Sequence, residues 1–535
     1  MLKPFDWKDK PALIEHLFPV QKISAESFKE QMANTGKALT SLGSYWKGRK
    51  PLILNKACIL GALLPATDDP LKDLEIFELL MGMDNQSMQK RIEATLPASN
   101  QDSVGEYLVL PYNEQVRQAK RPEELPGSLF SHVWARVNTH LGTSAASFPE
   151  LVEQIGIARF GHRPRVGDVF SGSGQIPFEA ARLGCDVYAS DLNPIACMLT
   201  WGGFNIVGAS KEKRTEIRDA QKKLIEQVQA EIDALAVEND SGGWCPRAYL
   251  YCVEIICPES GWKVPLLPSF IISKDYKVIA RLIPIAAEKR YDIEVVYVDT
   301  DEEVADAKGG TVQGSDVIHS PDGSNIYRSS VNAIRGDYKD GKENKNRLRL
   351  WEKADFTPRS GDIFQERLYC VQWVKKIENS IKVNTEIRSV TADDLKREQK
   401  VIDFVGSHLT EWQEKGFIPD MVIEKGDETE RLYRERGWTH WHHLFNPRQL
   451  LINGLINIFS NAELKVSLAQ LLNYNSRLCI WHSAKGQGPG SISQVFYNQS
   501  LNTLYNYGCR SSLLAIKKIS DDIKNIEFPN STTPI

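Results

Sequence analysis

Apolar and polar positions divide the chain into stretches of different period. Residues 1–100 read as mostly helical, with apolar runs at Pro51–Leu64 and Ile76–Met83, and Glu106–Pro111 (EYLVLP) is a strand-like run. From Phe148 the pattern changes. A short helix opens there with Pro149 and Glu150. An apolar strand Val166–Phe170 follows, then a helix Gln175–Leu183 stopped by Gly184, a second strand Asp186–Ser190 and a further helix after Asn193-Pro194. Strand, glycine-rich turn, helix, strand is the opening of a doubly wound α/β sheet.

Beyond it, Ile217, Leu224, Val228, Ile232 and Leu235 recur at helical spacing and predict a long amphipathic helix with a Lys/Arg-rich outer face. Residues 240–375 turn strand-like (FIIS, KVIARLIPI, DIEVVYV), with Gly, Asp and Pro clusters between the runs. Thr391 and Asp394 form a capping box for a helix through Leu395, Ile402, Val405, Leu409 and Trp412, stopped by Gly416 and Pro419. Asn446-Pro447-Arg448-Gln449 places an N-cap, an N1 proline and an N3 glutamine in register. The domain expectation is a helical domain 1–100, the first half of an α/β core 101–210, the long helix 211–239, a β-rich insertion 240–375, a helical region 376–510 and an end 511–535, in which Ser512–Ile516 could add one short strand.

Composition narrows the class. Hydrophobic residues are 42% and charged residues 25% of 535, the balance of a globular protein of several domains, and no apolar run is long enough to span a bilayer. A charged N-terminus and nine cysteines without a CxxC pair lead to the expectation of a cytoplasmic protein with no membrane partner. The net charge of −4 means that any nucleic-acid contact must come from local basic patches.

The chemistry concentrates in Gly167–Pro194 (GDVFSGSGQIPFEAARLGCDVYASDLNP). Gly172 and Gly174 allow a sharp turn after the strand and leave room for a ligand where a side chain would collide. Asp191 lies 23 residues after Asp168, near the spacing at which a carboxylate meets ribose hydroxyls. A dinucleotide fingerprint has Gly or Ala at the third position, where this chain has Pro177. Asp168 would sit badly beside a diphosphate but suits the cationic amino group of S-adenosylmethionine, which is the expected cofactor. Asp168, Phe170, Gly172, Gly174, Asp191 and Asn193 are its candidate binding residues.

Asp168-Val-Phe170-Ser-Gly172-Ser-Gly174 resembles motif I of the amino-group DNA methyltransferases. The wider stretch 155–205 looks like the large anti-phage-associated adenine-specific DNA methyltransferases, which carry the domain of unknown function 1156 at their N-terminus. Leu17-Phe-Pro19 and Ser44-Tyr-Trp46-Lys-Gly-Arg49-Lys-Pro51 resemble that domain, with departures at Tyr45, Lys47 and Gly48; PRAYLYCVE, DIFQERLYCVQW, LFNPRQLL and NYGCR also look like family segments. The resemblance implies a partial Rossmann-like methyltransferase core with a helical N-terminal domain and a large α+β insertion. It also implies adenine-N6 methylation of double-stranded DNA, and association with other phage-defence proteins. Such enzymes need a [DNS]PP[YF] loop to hold a flipped base. This sequence contains no Pro-Pro, and it runs only 25 residues past Arg510, where the family's loop follows. No catalytic residue is therefore assigned. A second polypeptide carrying the PP-motif half is the expected partner, and the isolated chain is expected to be inactive. A non-catalytic DNA- or cofactor-binding subunit and an RNA methyltransferase are the alternative readings.

Arg335–Lys353 interleaves Lys339, Lys342, Lys345, Arg347 and Arg349 with Tyr338 and Trp351, a pattern suited either to phosphate tracking or to a solvated loop. With it, His442 and Arg448 complete the candidate DNA contacts, and no metal is expected at His440, His442 and His443 or at Cys257-Pro-Glu-Ser260. Trp46 and Arg49 could close over cofactor or DNA, or simply pack.

Overall fold

A computed structural model of the chain describes residues 2–520 apart from 33–41, 43–45, 47, 98–102, 126, 241, 378–382, 484–487 and 499–500. Ser44, Tyr45 and Lys47 of the expected N-terminal motif and residues 521–535 lie outside the described residues. The fold is mixed α/β, in two compact units that divide between Ile217 and Arg218, within the predicted long helix, here Lys211–Leu235. In that helix Ile217, Leu224, Val228 and Ile232 are buried, as their spacing requires.

In the first unit, Leu52–Leu63 buries Leu52, Ile53, Ala57 and Leu60, together with Asn55 and Lys56. Pro70–Met81 starts at the Asp69 cap and ends at Gly82 in a left-handed conformation, φ 66°. The expected strand at Glu106–Pro111 is instead a helix, Val104–Leu108, followed by a turn. Its apolar run looked like a strand because only Val104 of the helix is buried, and Val109 is 83% exposed. Phe148–Phe160 leads to β1 (Arg165–Asp168), the helix Gln175–Leu183, β2 (Asp186–Ala189) and the helix Pro194–Gly202. β1 and β2 pair in parallel, Val166 opposite Val187 and Asp168 opposite Ala189. Val166 and Val187 pack on a core that also holds Leu60, Phe77, Val152, Ile155 and Leu183. The N-terminal helices and the β–helix–β segment thus share one apolar interior, which fixes the turn after β1. Among the described residues β1 and β2 pair only with each other.

The second unit is built on an eight-stranded, mainly antiparallel sheet. Its strands are β3 (Cys245–Ile256), β4 (Lys263–Leu266), β5 (Ile271–Ser273), β6 (Val278–Ile285) and β7 (Arg290–Tyr297). After the smaller β8 (Val312–Gln313), β9 (Asp316–His319) and β10 (Tyr327–Ser330), and the hairpin β11 (Tyr338–Asp340) and β12 (Glu343–Lys345), come β13 (Gln365–Lys376) and β14 (Val383–Ser389). The order is β14-β13-β3-β4-β7-β6-β5, and β17 (Asn506–Arg510), which follows the short β15 (Trp481–His482) and β16 (Ser491–Ile492), also pairs with β3. β3 is covered on both faces. Ala248, Leu250 and Cys252 enter one core with Ile272 and Val278, whereas Tyr249 and Tyr251 enter another with Trp373, Tyr507 and Cys509. β14 and β17 come from the stretch expected to be helical, and Ser512–Ser520 is a helix and not the short strand that Ser512–Ile516 could have added.

The capped helices begin where the sequence places them. Ala392–Glu414 has a Thr391/Asp394 capping box, and Pro447–Phe459 has one from Asn446 and Gln449. Leu395, assigned to the apolar stripe of the former, is 54% exposed, because the buried face there starts at Asp394 and resumes at Val401.

Candidate functional site

The turn after β1 closes on β2 through backbone bonds: Ser190 N donates to Asp168 O and Ser171 N to Ser190 O. Asp191, just past β2, ties the two loops together. Its Oδ2 accepts from Gly172 N at 2.9 Å and its Oδ1 from Asn193 N at 2.8 Å. Donation by the Asn193 and Gly172 amides holds its carboxyl below the usual range, so it is ionised at neutral pH. Asn193 Oδ1 caps the following helix through Ile195 N at 2.9 Å, and Asp168 Oδ1 accepts from Phe170 N at 3.1 Å. Three of the six predicted cofactor residues, Gly172, Asp191 and Asn193, therefore meet at one carboxylate, while Asp168 and Phe170 are tied to each other.

Gly174 does something different. A Cβ there would lie 2.7 Å from Thr200 Oγ1 and 2.9 Å from Thr200 Cα, so its missing side chain makes room for the Pro194–Gly202 helix, not for a ligand. At Gly172, φ 52°, a Cβ would meet Trp46 Nε1 at 2.9 Å. The Trp46 indole thus stands over the turn. Ser171 Oγ bonds Thr200 Oγ1 at 3.2 Å and completes the support underneath. Ser171, within the glycine-rich motif, and Thr200, outside it, were not singled out by the sequence; only the packing of the helix shows their part. Phe170, in the turn after β1, and Leu192, next to Asp191 in the chain, are 85% and 99% exposed.

The DNA candidates separate. Lys345 lies on the exposed β11–β12 hairpin, 2.6 Å from Asp340, and Arg347 is exposed. Arg349 is chelated by Asp362, with Nε and Nη2 each 2.7 Å from a carboxylate oxygen, and also pairs with Asp355. Its charge is spent inside the fold. Arg448 is buried, with Nη2 2.8 Å from Glu398 and its guanidinium over the Tyr249 ring. His442 is also buried; its ring bonds Asp355 O at 3.1 Å and Gln413 at 3.4 Å. Neither offers a surface to DNA in this fold: a long cation and an imidazole in a helical, charged stretch look the same whether they face water or fill a core.

Burial pushes the His442 ring down to about 4 and the His443 ring to about 2. His443 Nδ1 accepts from the Thr439 and His440 amides, so its Nε2 carries the proton donated to Glu352 O. Ser260 Oγ, beside Cys257, is 3.0 Å from His319 Nε2, and Tyr291 OH is 3.0 Å from His319 Nδ1. Among the described residues no group of three or more His, Cys, Asp and Glu is placed to hold a metal. No described helix is long and apolar enough to cross a membrane.

Residues 17–80 match the family model described as a protein of unknown function (DUF1156). Trp46 belongs to this segment. No curated protein and no solved structure matches the chain.

Proposed function

We propose that the chain is the S-adenosylmethionine-binding part of an adenine-N6 DNA methyltransferase from a phage-defence system. The observation that carries this reading is the convergence on Asp191 of the Gly172 turn and the Asn193 cap, with Phe170 and Leu192 exposed. β1, the Gln175–Leu183 helix and β2 are read as the opening of a Rossmann-like core.

The residues fit the cofactor. The Asp191 carboxylate spends two of about four acceptor positions on amides, leaving the others for ribose hydroxyls. Asp168 supplies negative charge for the methionine ammonium, and Phe170 and Leu192 offer apolar surface to an adenine ring. Trp46 walls the turn. When bound, S-adenosylmethionine supplies an electrophilic methyl group; what this chain contributes is its orientation. The 535 residues hold no Pro-Pro dipeptide, so a loop gripping a flipped base is assigned outside these residues. DNA contact, after the pairing of Arg349, rests on Lys339, Lys342 and Arg347.

Calorimetry with the purified chain tests the reading. S-adenosylmethionine should bind, NAD should not, and Asp191→Ala should abolish binding while the protein stays folded. Transfer of labelled methyl groups to DNA should require co-expression with a PP-motif fragment. Tighter binding of NAD, or transfer by the chain alone, would overturn the corresponding half of the assignment.

A further inference from the structure

The second unit contains a small cavity of about 30 Å³ bounded by Phe364, Trp438, Tyr507, Leu504 and Arg436. Arg436 is the last residue of the helix Glu430–Arg436 and is 5% exposed. Its Nη2 donates to Leu504 O, but Nε and Nη1 are buried with no hydrogen-bond partner among the described residues. Aromatic rings flank the guanidinium: its central carbon is 4.7 Å from the Phe364 ring centre, 4.9 Å from Tyr505 and 5.9 Å from Trp438.

Other buried arginines here are matched. Arg91 faces Glu26 at 2.7 Å, Arg448 faces Glu398 at 2.8 Å, and Arg477, on the same cavity, faces Glu366 at 2.7 Å. Arg159 has no carboxylate, yet its nitrogens reach four backbone carbonyls. The cavity's two carboxylates are already committed, Asp362 to Arg349 and Glu366 to Arg477. Arg436 is thus a desolvated cation with donors to spare, a state that is strongly destabilising unless a counter-charge enters.

We propose that this cavity is an anion-binding site and that Arg436 receives a carboxylate there. The choice of carboxylate over phosphate follows from size and shape. The space is narrow and lined by the flat rings of Phe364, Trp438 and Tyr507, which favours a planar oxyanion that can slot between rings and pair with a guanidinium in one plane over a tetrahedral one. The carboxylate is that of a free small acid or of an Asp, Glu or chain terminus on a partner. Neither source depends on the nucleotide reading of the β1 turn.

Formate and acetate are the probes, added to the full chain at constant ionic strength and near-neutral pH, with phosphate and chloride as comparisons. The thermal midpoint should rise with the logarithm of formate concentration above its Kd, following ligand linkage, and change little with phosphate. Calorimetry on the wild-type chain gives the affinity directly, and Arg436→Gln should weaken it more than about tenfold. A folded Lys308→Gln variant, at an exposed residue away from the cavity lining, should behave as wild type. Absence of formate and acetate binding to the wild-type chain, an equal response to phosphate, or undiminished affinity in Arg436→Gln would overturn the proposal. Should Arg436→Gln fail to fold, wild-type calorimetry of acetate and formate against phosphate still decides. A short peptide ending in Asp that binds more tightly than acetate would identify the carboxylate as a partner's; acetate binding as tightly as the peptide would identify a free acid.

Discussion

Gly172 and Gly174 sit two residues apart with similar backbone conformations, φ 52° and 74°, yet different neighbours hold them to glycine. At Gly174 the obstacle is the Thr200 backbone, which cannot move without its helix; at Gly172 it is the Trp46 ring, a side chain that can. Gly174→Ala should therefore cost about 1–3 kcal/mol of stability, read as a lowered thermal midpoint. Gly172→Ala should lower the midpoint less and weaken S-adenosylmethionine binding more, by calorimetry. The opposite ranking would reverse the two roles. His442 gives a pH signature. Its folded value of about 4 lies below the ordinary 6.5, so between these pH values the unfolded chain holds a proton that the folded chain refuses. Stability from this group is complete above about pH 6.5 and is lost as pH falls towards 4, by roughly 3 kcal/mol. Urea unfolding at pH 7 and pH 5 should show the drop, and His442→Gln should reduce it.

The two capping boxes make a matched pair of elements in different surroundings. Thr391, exposed, accepts from Asp394 N at 3.2 Å. Asn446, fully buried, accepts from Gln449 N at 2.8 Å and also donates to Tyr507 OH at 3.1 Å, linking its helix to β17. Thr391→Ala should cost about 1 kcal/mol, the usual cap value. Asn446→Ala should cost more, roughly 2–3 kcal/mol, because it also removes a buried bond. Equal losses in urea unfolding would mean that the Tyr507 link contributes nothing. β1 and β2 are four residues each, with Val166 and Val187 facing the core and Tyr188 64% exposed, so the element is held from one face only.

Electrostatics of the whole chain limits how it can meet nucleic acid. The net charge is −4, and Arg349 in the one conspicuous basic run is neutralised by Asp355 and Asp362. If the chain binds DNA through this run, substituting Lys339, Lys342 and Arg347 together with Gln should flatten the salt dependence by up to about three units. Arg349→Gln should instead lower the midpoint of unfolding, since Asp362 loses its bidentate partner and Asp355 keeps only Arg359. An unchanged salt slope in the triple variant would assign the hairpin to ordinary solvated surface.

Elements whose signals are local were legible in the chain. The Gln175–Leu183 helix with its glycine stop, the capped helices at Thr391 and Asn446, and the long helix through Ile217 and Ile232 depend on side chains within a turn or two of one another. The meeting of the Asp191 carboxylate with the Gly172 turn has the same local origin: the spacing of a β–helix–β unit brings the two loops together wherever it occurs. What the sequence left open depends on partners far along the chain. That Gly174 yields to Thr200, that Trp46 stands over Gly172, and that Arg448 and His442 lie inside while Arg347 lies outside is set by packing between segments tens to hundreds of residues apart. A charged or aromatic side chain carries no local mark of its burial. Its partner, Glu398 for Arg448 or a missing carboxylate for Arg436, becomes visible only when the sheet and helices bring distant residues together.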